Sequence, residues 1–401
     1  MMADSTNNVR PMLFPLGTID DVIGQFETYK LVNEISFDAP PIKMFGVACP
    51  NPAASVTHQL SYPPVYVSMV RDMKVIGGGA FPIIAGKAIQ HHNFTVERWQ
   101  LREQGMFLCT VAANQIFYSG LGDTYHIDSP VISLSGNASV NYAHWMTEFL
   151  PKIVLLALTD IDLSGFKILL DEGVFPSMVE ALKLLGIKEE QLIFLPEWSL
   201  VETSVACWVS PVADVVFQRP NPLKNEHGRL AEPEDALFHP EVIKATRDVY
   251  RQLLCRDDLD APEKIFITRT PGRKGDQRLV MNEAEIRSQL EKMGFVSVDP
   301  SNLSFAGQVE LFSRAKYIVA ASGAALLNML WTPQGARVVV LMNDATPVCY
   351  WYFANIASAL GHRLSYVLGE VVDNGNCSDI IHADFRVDLQ AVIDALDDQE
   401  P

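Results

Sequence analysis

The stretch Val131-Ile-Ser-Leu-Ser-Gly-Asn-Ala-Ser-Val-Asn-Tyr-Ala-His-Trp-Met-Thr-Glu-Phe-Leu-Pro151 reads as strand, turn and helix in direct succession. Residues 131–134 form a short apolar run, the pattern of a buried strand. Gly136-Asn137-Ala138-Ser139 supplies a turn. A helix is predicted from near Val140, and it carries Asn141, His144, Trp145 and Glu148. Positions three and four apart share a helix face. These four side chains are therefore expected to project together near the carboxyl end of a strand, where open α/β sheets bind ligands. Each has an ordinary explanation alone: a satisfied histidine, a core tryptophan, a solvated glutamate. Their combination after a strand makes the stripe a candidate site.

Working outward, the alternation of strand and helix continues. Residues 166–170 read as a strand, 175–185 as a helix ended by Gly186, and 192–195 as a strand. Residues 204–209 and 212–217 are further extended runs. Pro211, Pro220, Pro222, Pro233 and Pro240 mark a linker or long loop over 218–240. Beyond it, strands are predicted at 264–269, 295–298, 317–321, 338–342 and 364–368. Helices lie between them: one from Asn282, with Glu285 at the capping-box position, one from Ser304, one after Ser322-Gly323-Ala324-Ala325, and others over 349–360 and 389–396. That alternation predicts a parallel sheet with helices on both faces. Upstream, residues 1–125 show short extended runs at 63–70, 74–79 and 106–111 bounded by Gly and Pro, with Gly77-Gly78-Gly79 read as a turn. The expected organisation is a β-rich region over 1–125, a Rossmann-like domain over 126–235 and a second over 236–401. Two such halves joined by a proline-rich hinge would form a cleft, where small ligands bind.

The 401 residues, 48% hydrophobic and 20% charged, suit a globular protein of two or three domains. A net charge of −17 repels nucleic acid and anionic lipid, so no nucleic-acid partner is expected. No apolar run reaches the ~18 residues that span a bilayer, so no transmembrane segment is expected. The start of the chain lacks a basic-then-apolar leader. Cys49, Cys109, Cys207, Cys255, Cys349 and Cys377 are scattered without a CxxC pair. These features predict a cytoplasmic protein with neither a disulfide frame nor a zinc site, and make the sequons at Asn93, Asn137 and Asn376 chance matches. Arg269, Arg273, Lys274 and Arg278 cluster in an otherwise acidic chain. The arginine fork matches phosphate oxygens, so this cluster suits a small anion. Ser322-Gly323-Ala324-Ala325, between strand and helix, would let backbone N–H groups approach such an anion, although a tight turn needs small residues anyway. Asn282 is explained by helix capping and Glu283 by the helix dipole. The glycine fingerprint of NAD enzymes and the Walker pattern are both missing, which disfavours an NAD-type oxidoreductase. No Asp-x-Asp motif stands out; Asp257-Asp258 reads as a solvated loop.

Several motifs in register now resemble one family. Asn141-Tyr-x-His144-Trp145-x-x-Glu148-x-Leu-Pro151, Phe266-Ile-x-Arg269, Arg278-x-x-x-Asn282-Glu283, Gly294-Phe295, Leu303-Ser-Phe-x-x-Gln308, Gly323-Ala-x-Leu-x-Asn328 and Trp331-x-Pro333 are similar to motifs of glycosyltransferase family 61, across about 131–345. The resemblance implies a GT-B-like fold: two Rossmann-like domains facing across a cleft. It implies transfer of a sugar from a nucleotide-sugar donor to a carbohydrate or glycoconjugate acceptor hydroxyl, generally with inversion. The leaderless chain resembles the bacterial type associated with capsular and other surface polysaccharides. Glu148 and His144 then become the catalytic candidates. Arg269, Arg278, Asn282, Glu283, Ser322, Gly323 and Asn328 are candidates for donor binding, and Asn141 and Trp145 for substrate binding. No cofactor or divalent metal is expected, and homo-oligomerisation is compatible with the pattern. One loop departs from the family, which usually reads His-Gly-Ala-Gly-Leu-Thr-Asn where this chain has Ser322-Gly-Ala-Ala-Leu-Leu-Asn328. That departure motivates an alternative, a catalytically degenerate carbohydrate- or nucleotide-binding protein of the same fold.

Overall fold

The structure is a computed structural model and describes residues 10–90, 109–112, 114–215, 230–256, 260–269, 278–345, 348–372 and 380–398. It divides into two compact units, Met1–Ile35 with Tyr62–Val216, and Ser36–Ser61 with Phe217–Pro401. Arg273, Lys274, Asp257, Asp258, Asn93 and Asn376 lie outside the described residues, as does most of the proline-rich stretch.

The first unit is built on one twelve-stranded sheet. Four of its strands run parallel: Leu192–Leu195, Lys167–Asp171, Val131–Ser133 and Leu200–Val209, neighbours in that order. Numbered along the chain, that order is 3-2-1-4, the arrangement of a doubly wound half-sheet. The long strand Val65–Ile76 then pairs antiparallel with Leu200–Val209, from Leu200 opposite Ile76 to Val209 opposite Val67. Through Ile83–Ile84 and Lys87–Ile89 the sheet continues to Arg10–Gly17, Gln115–Leu121 and Cys109–Ala112. The N-terminal β-rich stretch is thus not a region apart from the 126–235 domain, as the sequence predicted. Its alternating apolar residues, such as Val70, Met73 and Val75, share one core with Val131, Leu169, Leu195 and Val201.

The second unit carries the parallel sheet expected for the last third. Val296–Val298, Lys264–Ile267, Tyr317–Ala321, Arg337–Asn343 and Arg363–Val371 lie side by side, all parallel. In chain order this is 2-1-3-4-5, the flavodoxin-like doubly wound order. Val338 to Leu341 have no solvent exposure, the continuous apolar run of a strand covered on both faces. On one face Phe266, Val319, Val339 and Val367 pack with Ile286 and Leu290 of the helix Glu283–Lys292 and Val392 of Leu389–Asp397. Lys43–Gly46, from the stretch expected to belong to the N-terminal region, instead pairs parallel with Arg363–Val371. An unpaired sheet edge recruits whatever strand is available, and no local sequence signal reports that recruitment.

A buried histidine gives this unit an acid-sensitive point. Nε2 of His362 lies 2.9 Å from Thr332 Oγ1 and 3.1 Å from Met329 O. Burial, only partly offset by the hydrogen bond to Met329, pushes its pKa down to about 4 from an ordinary 6.5. The unfolded chain therefore binds the proton first as pH falls. Stability is fully present above pH 6.5 and is lost down to about pH 4, by on the order of 3 kcal/mol. Denaturant titrations across that window should show the loss, and His362→Gln should flatten it. An equally steep acid limb in the variant would assign the effect elsewhere.

Candidate active site

Each unit places its candidate residues at the carboxyl ends of the two strands that flank its switch in strand order. Ligands of open α/β sheets bind at this position. In the first unit the flanking strands are Val131–Ser133 and Leu200–Val209. In the second they are Lys264–Ile267 and Tyr317–Ala321.

In the first unit the helix enters at Asn141, whose side chain accepts the Ala143 N–H at 2.9 Å. Asn141 is thereby a cap, and it does not join the stripe predicted for it. The helix runs regularly over Tyr142–His144 and then widens to π geometry over Trp145–Phe149, with Leu150 N–H donating to Trp145 O. Pro151 offers a physical cause. It has no N–H to give to Thr147 O, so the ordinary α-helical hydrogen bond cannot form there. Such single π turns cluster at functional sites. His144 and Glu148 stay paired through it, with Nδ1 hydrogen-bonded to Oε1, and both are nearly inaccessible at 6% and 5% exposure. Trp145 is fully buried and stacks on Phe149, centroids 6.4 Å apart. It is a core residue, and Phe149 in its place reaches the pocket.

That pocket is a small cavity of about 70 Å³ that opens to solvent. Gly79, Phe81, Ser133, Ser135, Gly136 and Asn137 line one part; Glu148, Phe149, Lys152, Cys207 and Trp208 line another. Burial pushes the Cys207 thiol up to about 12, so it is no nucleophile. Tyr62 lies near enough to feel Asp214 and Glu148, and burial first, then those carboxylates, raise its phenol well above the usual range. Sequence reasoning missed Asp171, the last residue of its strand. Its carboxylate accepts from Gly78 N at 2.9 Å, Ser135 Oγ at 2.5 Å, Gly136 N at 2.9 Å and Ser139 Oγ. The one available signal was a carboxylate closing the apolar run Ile168-Leu169-Leu170.

In the second unit Arg269 follows its strand directly and donates through Nη2 to the Ser322 carbonyl. Nη1 of Arg278 lies 3.2 Å from Ser322 Oγ. The two guanidinium groups thus converge on Ser322, three residues that the sequence named separately as donor-binding candidates. Burial pulls the Arg269 pKa down, while the Glu283 and Asp299 carboxylates pull it back up, so Glu283 belongs to the same electrostatic cluster. Gly323 has a steric reason to be glycine: a Cβ there would sit 1.8 Å from Arg269 Nη2. Gly323→Ala must therefore displace the guanidinium. The expected result is weakened anion binding by the ~1.5–3 kcal/mol of a charge-assisted contact, measured by nucleotide calorimetry on folded protein. Unchanged affinity would remove Arg269 from the site.

Two other candidates have structural duties. Asn282 makes no side-chain cap; its amide donates to Val387 O at 2.9 Å and Glu285 Oε2 at 3.2 Å, and it is buried. Asn328 is fully buried and donates to Ala325 O at 2.9 Å. The helix expected after Ser322 is a 3-10 helix, Ala324–Trp331, so its N-terminus is not the α-helical anion site predicted there.

Comparison with known proteins places these two clusters in one homologous segment. The family model described as Glycosyltransferase 61 matches residues 142–339. Residues 142–339, just under half of the chain, are similar to that family. The matched span contains His144, Glu148, Asp171, Arg269, Arg278 and Ser322. The chain is also similar to protein O-linked-mannose beta-1,4-N-acetylglucosaminyltransferase 2 of Mus musculus, 37% identical over 94 residues, covering 22% of this chain and 16% of that protein. The Bos taurus protein of the same name is 32% identical over 119 residues, covering 26% of this chain and 20% of its own. The Danio rerio protein is 32% identical over 99 residues, covering 24% and 17%. The chain therefore matches a fifth or less of the length of these curated relatives. The enzyme class expected from the sequence, glycosyltransferase, is the class that the family 61 match and these names return. The relatives are animal proteins, and the bacterial capsular type expected from the sequence gains nothing from them.

Proposed function

We propose that the family 61-like domain transfers a sugar from a nucleotide-sugar donor to an acceptor hydroxyl, with inversion and without a divalent metal. The convergence of Arg269 and Arg278 on Ser322 at a strand-order switch carries this reading. A departing nucleoside diphosphate gathers negative charge, and fixed guanidinium groups stabilise that charge without reorganising. The acceptor oxygen must lose its proton as it attacks the anomeric carbon. Glu148 is the proposed base, oriented by its bond to His144 Nδ1. A GT-B architecture fits the reading, since each unit has its own doubly wound parallel strands. So does the expected cytoplasmic location, and among the described residues no helix is long and apolar enough to cross a membrane.

The relatives' printed name makes UDP-N-acetylglucosamine and an O-mannosyl peptide the first pair to assay. Turnover should persist in EDTA; abolition by EDTA with recovery in Mn²⁺ would remove the metal-free part. Ser322, where the family usually has His, favours a second reading, a catalytically degenerate binding protein. Nucleotide binding without turnover on any donor, and transfer gained in Ser322→His, would establish that reading instead.

A further inference from the structure

The geometry points to Asp171 as a positioning residue for the acceptor half of the reaction, acting through the pocket wall that accompanies Glu148. This inference rests on the reading of the domain as a transferase with Glu148 as base. Asp171 is 4% exposed, and its two oxygens divide their duties. Oδ1 accepts the Gly78 N–H of the Gly77-Gly78-Gly79 turn and the Ser135 hydroxyl, at 2.9 and 2.5 Å. Oδ2 accepts the Gly136 N–H at 2.9 Å and the Ser139 hydroxyl. One carboxylate thus ties a turn after the antiparallel strand Val65–Ile76 to the loop after the parallel strand Val131–Ser133. Gly79, Ser135 and Gly136 are themselves pocket-lining residues.

The loop is coupled onward to the helix. A Cβ on Gly136 would lie 2.7 Å from Phe149 Cε1, so the Gly136 backbone rests on the Phe149 ring. Phe149 is the neighbour of Glu148, and both line the pocket. The path from Asp171 through Gly136 and Phe149 to Glu148 is continuous contact, with Asp171 held at the end of a core strand. A carboxylate serving only as a buried loop anchor would stabilise the unit without bearing on where the acceptor sits. The position of all its partners in or beside the pocket argues for more. Asn at 171 keeps a single acceptor oxygen, so it must release the Gly78 N–H or the Gly136 N–H, since its amide NH2 can donate to a serine hydroxyl but cannot accept from a backbone N–H.

The test is steady-state kinetics of the full chain with UDP-N-acetylglucosamine and an O-mannosyl peptide, beside calorimetry with UDP. In Asp171→Asn, kcat/KM for the acceptor is expected to fall on the order of tenfold to a hundredfold, the scale of a small misplacement at a reacting centre. The Kd for UDP should not move. Ser139→Ala, which removes one partner and keeps the carboxylate, should show a smaller fall of the same kind and serves if the first variant fails to fold. Folded variants that melt earlier yet keep the parent's acceptor kinetics would make Asp171 a structural anchor and overturn the proposal. A parent that binds no nucleotide and turns over no donor would instead overturn the transferase reading on which it stands.

Discussion

Glu148→Gln is expected to lower kcat by about 10²- to 10⁴-fold, the contribution of a positioned general base. Glutamine preserves the size of the side chain and can still hydrogen-bond His144, so the helix and the pocket wall should survive. What it loses is the capacity to take a proton. Glu148 is 5% exposed, paired with His144 and inside the lining of the first unit's pocket, which is the burial a base needs to be selective. Donor affinity should be unchanged, because the proposed phosphate contacts come from Arg269, Arg278 and Ser322, which the substitution leaves intact. The measurement is turnover with saturating donor and acceptor, with circular dichroism to confirm folding. A variant within about threefold of the parent, too small a loss for a general base, would move the role to another group, His144 first.

Trp331→Ala is expected to be the most damaging single change to stability, at about 3–5 kcal/mol. Trp331 has no solvent exposure and meets Tyr250 and Phe305 edge-to-face, with centroids 5.6 and 5.4 Å away. Tyr250 and Phe305 complete the triangle at 4.8 Å. These rings join the helices Pro240–Leu254 and Phe305–Phe312 to the 3-10 helix Ala324–Trp331. Truncation leaves a cavity that two flanking aromatics cannot both collapse into, and the loss is a large part of a typical ~5–15 kcal/mol. Trp331→Phe should recover part of it. Urea unfolding measures the difference; a loss below ~1 kcal/mol would mean that the triangle does not hold these helices.

The same tryptophan shows what the sequence could and could not tell. Trp331-x-Pro333, Phe305, Asn282 and Asn328 all belong to the family motifs. In the structure they are a core ring, another core ring, a backbone pin to Val387 and a buried amide in a 3-10 turn. A motif records whatever a fold needs kept, chemistry and packing alike. The five parallel strands of the second unit were legible because each is a short apolar run between helix signals. Arg269 and Ser322 could be placed at strand ends, whereas the approach of Arg278 to Ser322 could not, because Arg278 lies in no strand or helix. The recruitment of residues 43–46 into that sheet was not legible, since edge pairing over hundreds of residues leaves no local trace. Asp171 escaped for a related reason: its partners at 78, 135, 136 and 139 become neighbours only after the strands are ordered. The π turn at Trp145–Phe149 was foreshadowed by Pro151, and it changed which aromatic faces the pocket.

The central claim is that this domain binds a nucleotide sugar through Arg269, Arg278 and Ser322. Calorimetric titration with UDP, GDP, CMP and dTDP, of the parent and of Arg278→Ala, tests it most directly. The account predicts saturable binding of one nucleotide by the parent and affinity at least about tenfold weaker in the variant, the effect of one lost charge-assisted contact. Equal affinity in parent and variant, or binding of none of the four by well-folded protein, would contradict it.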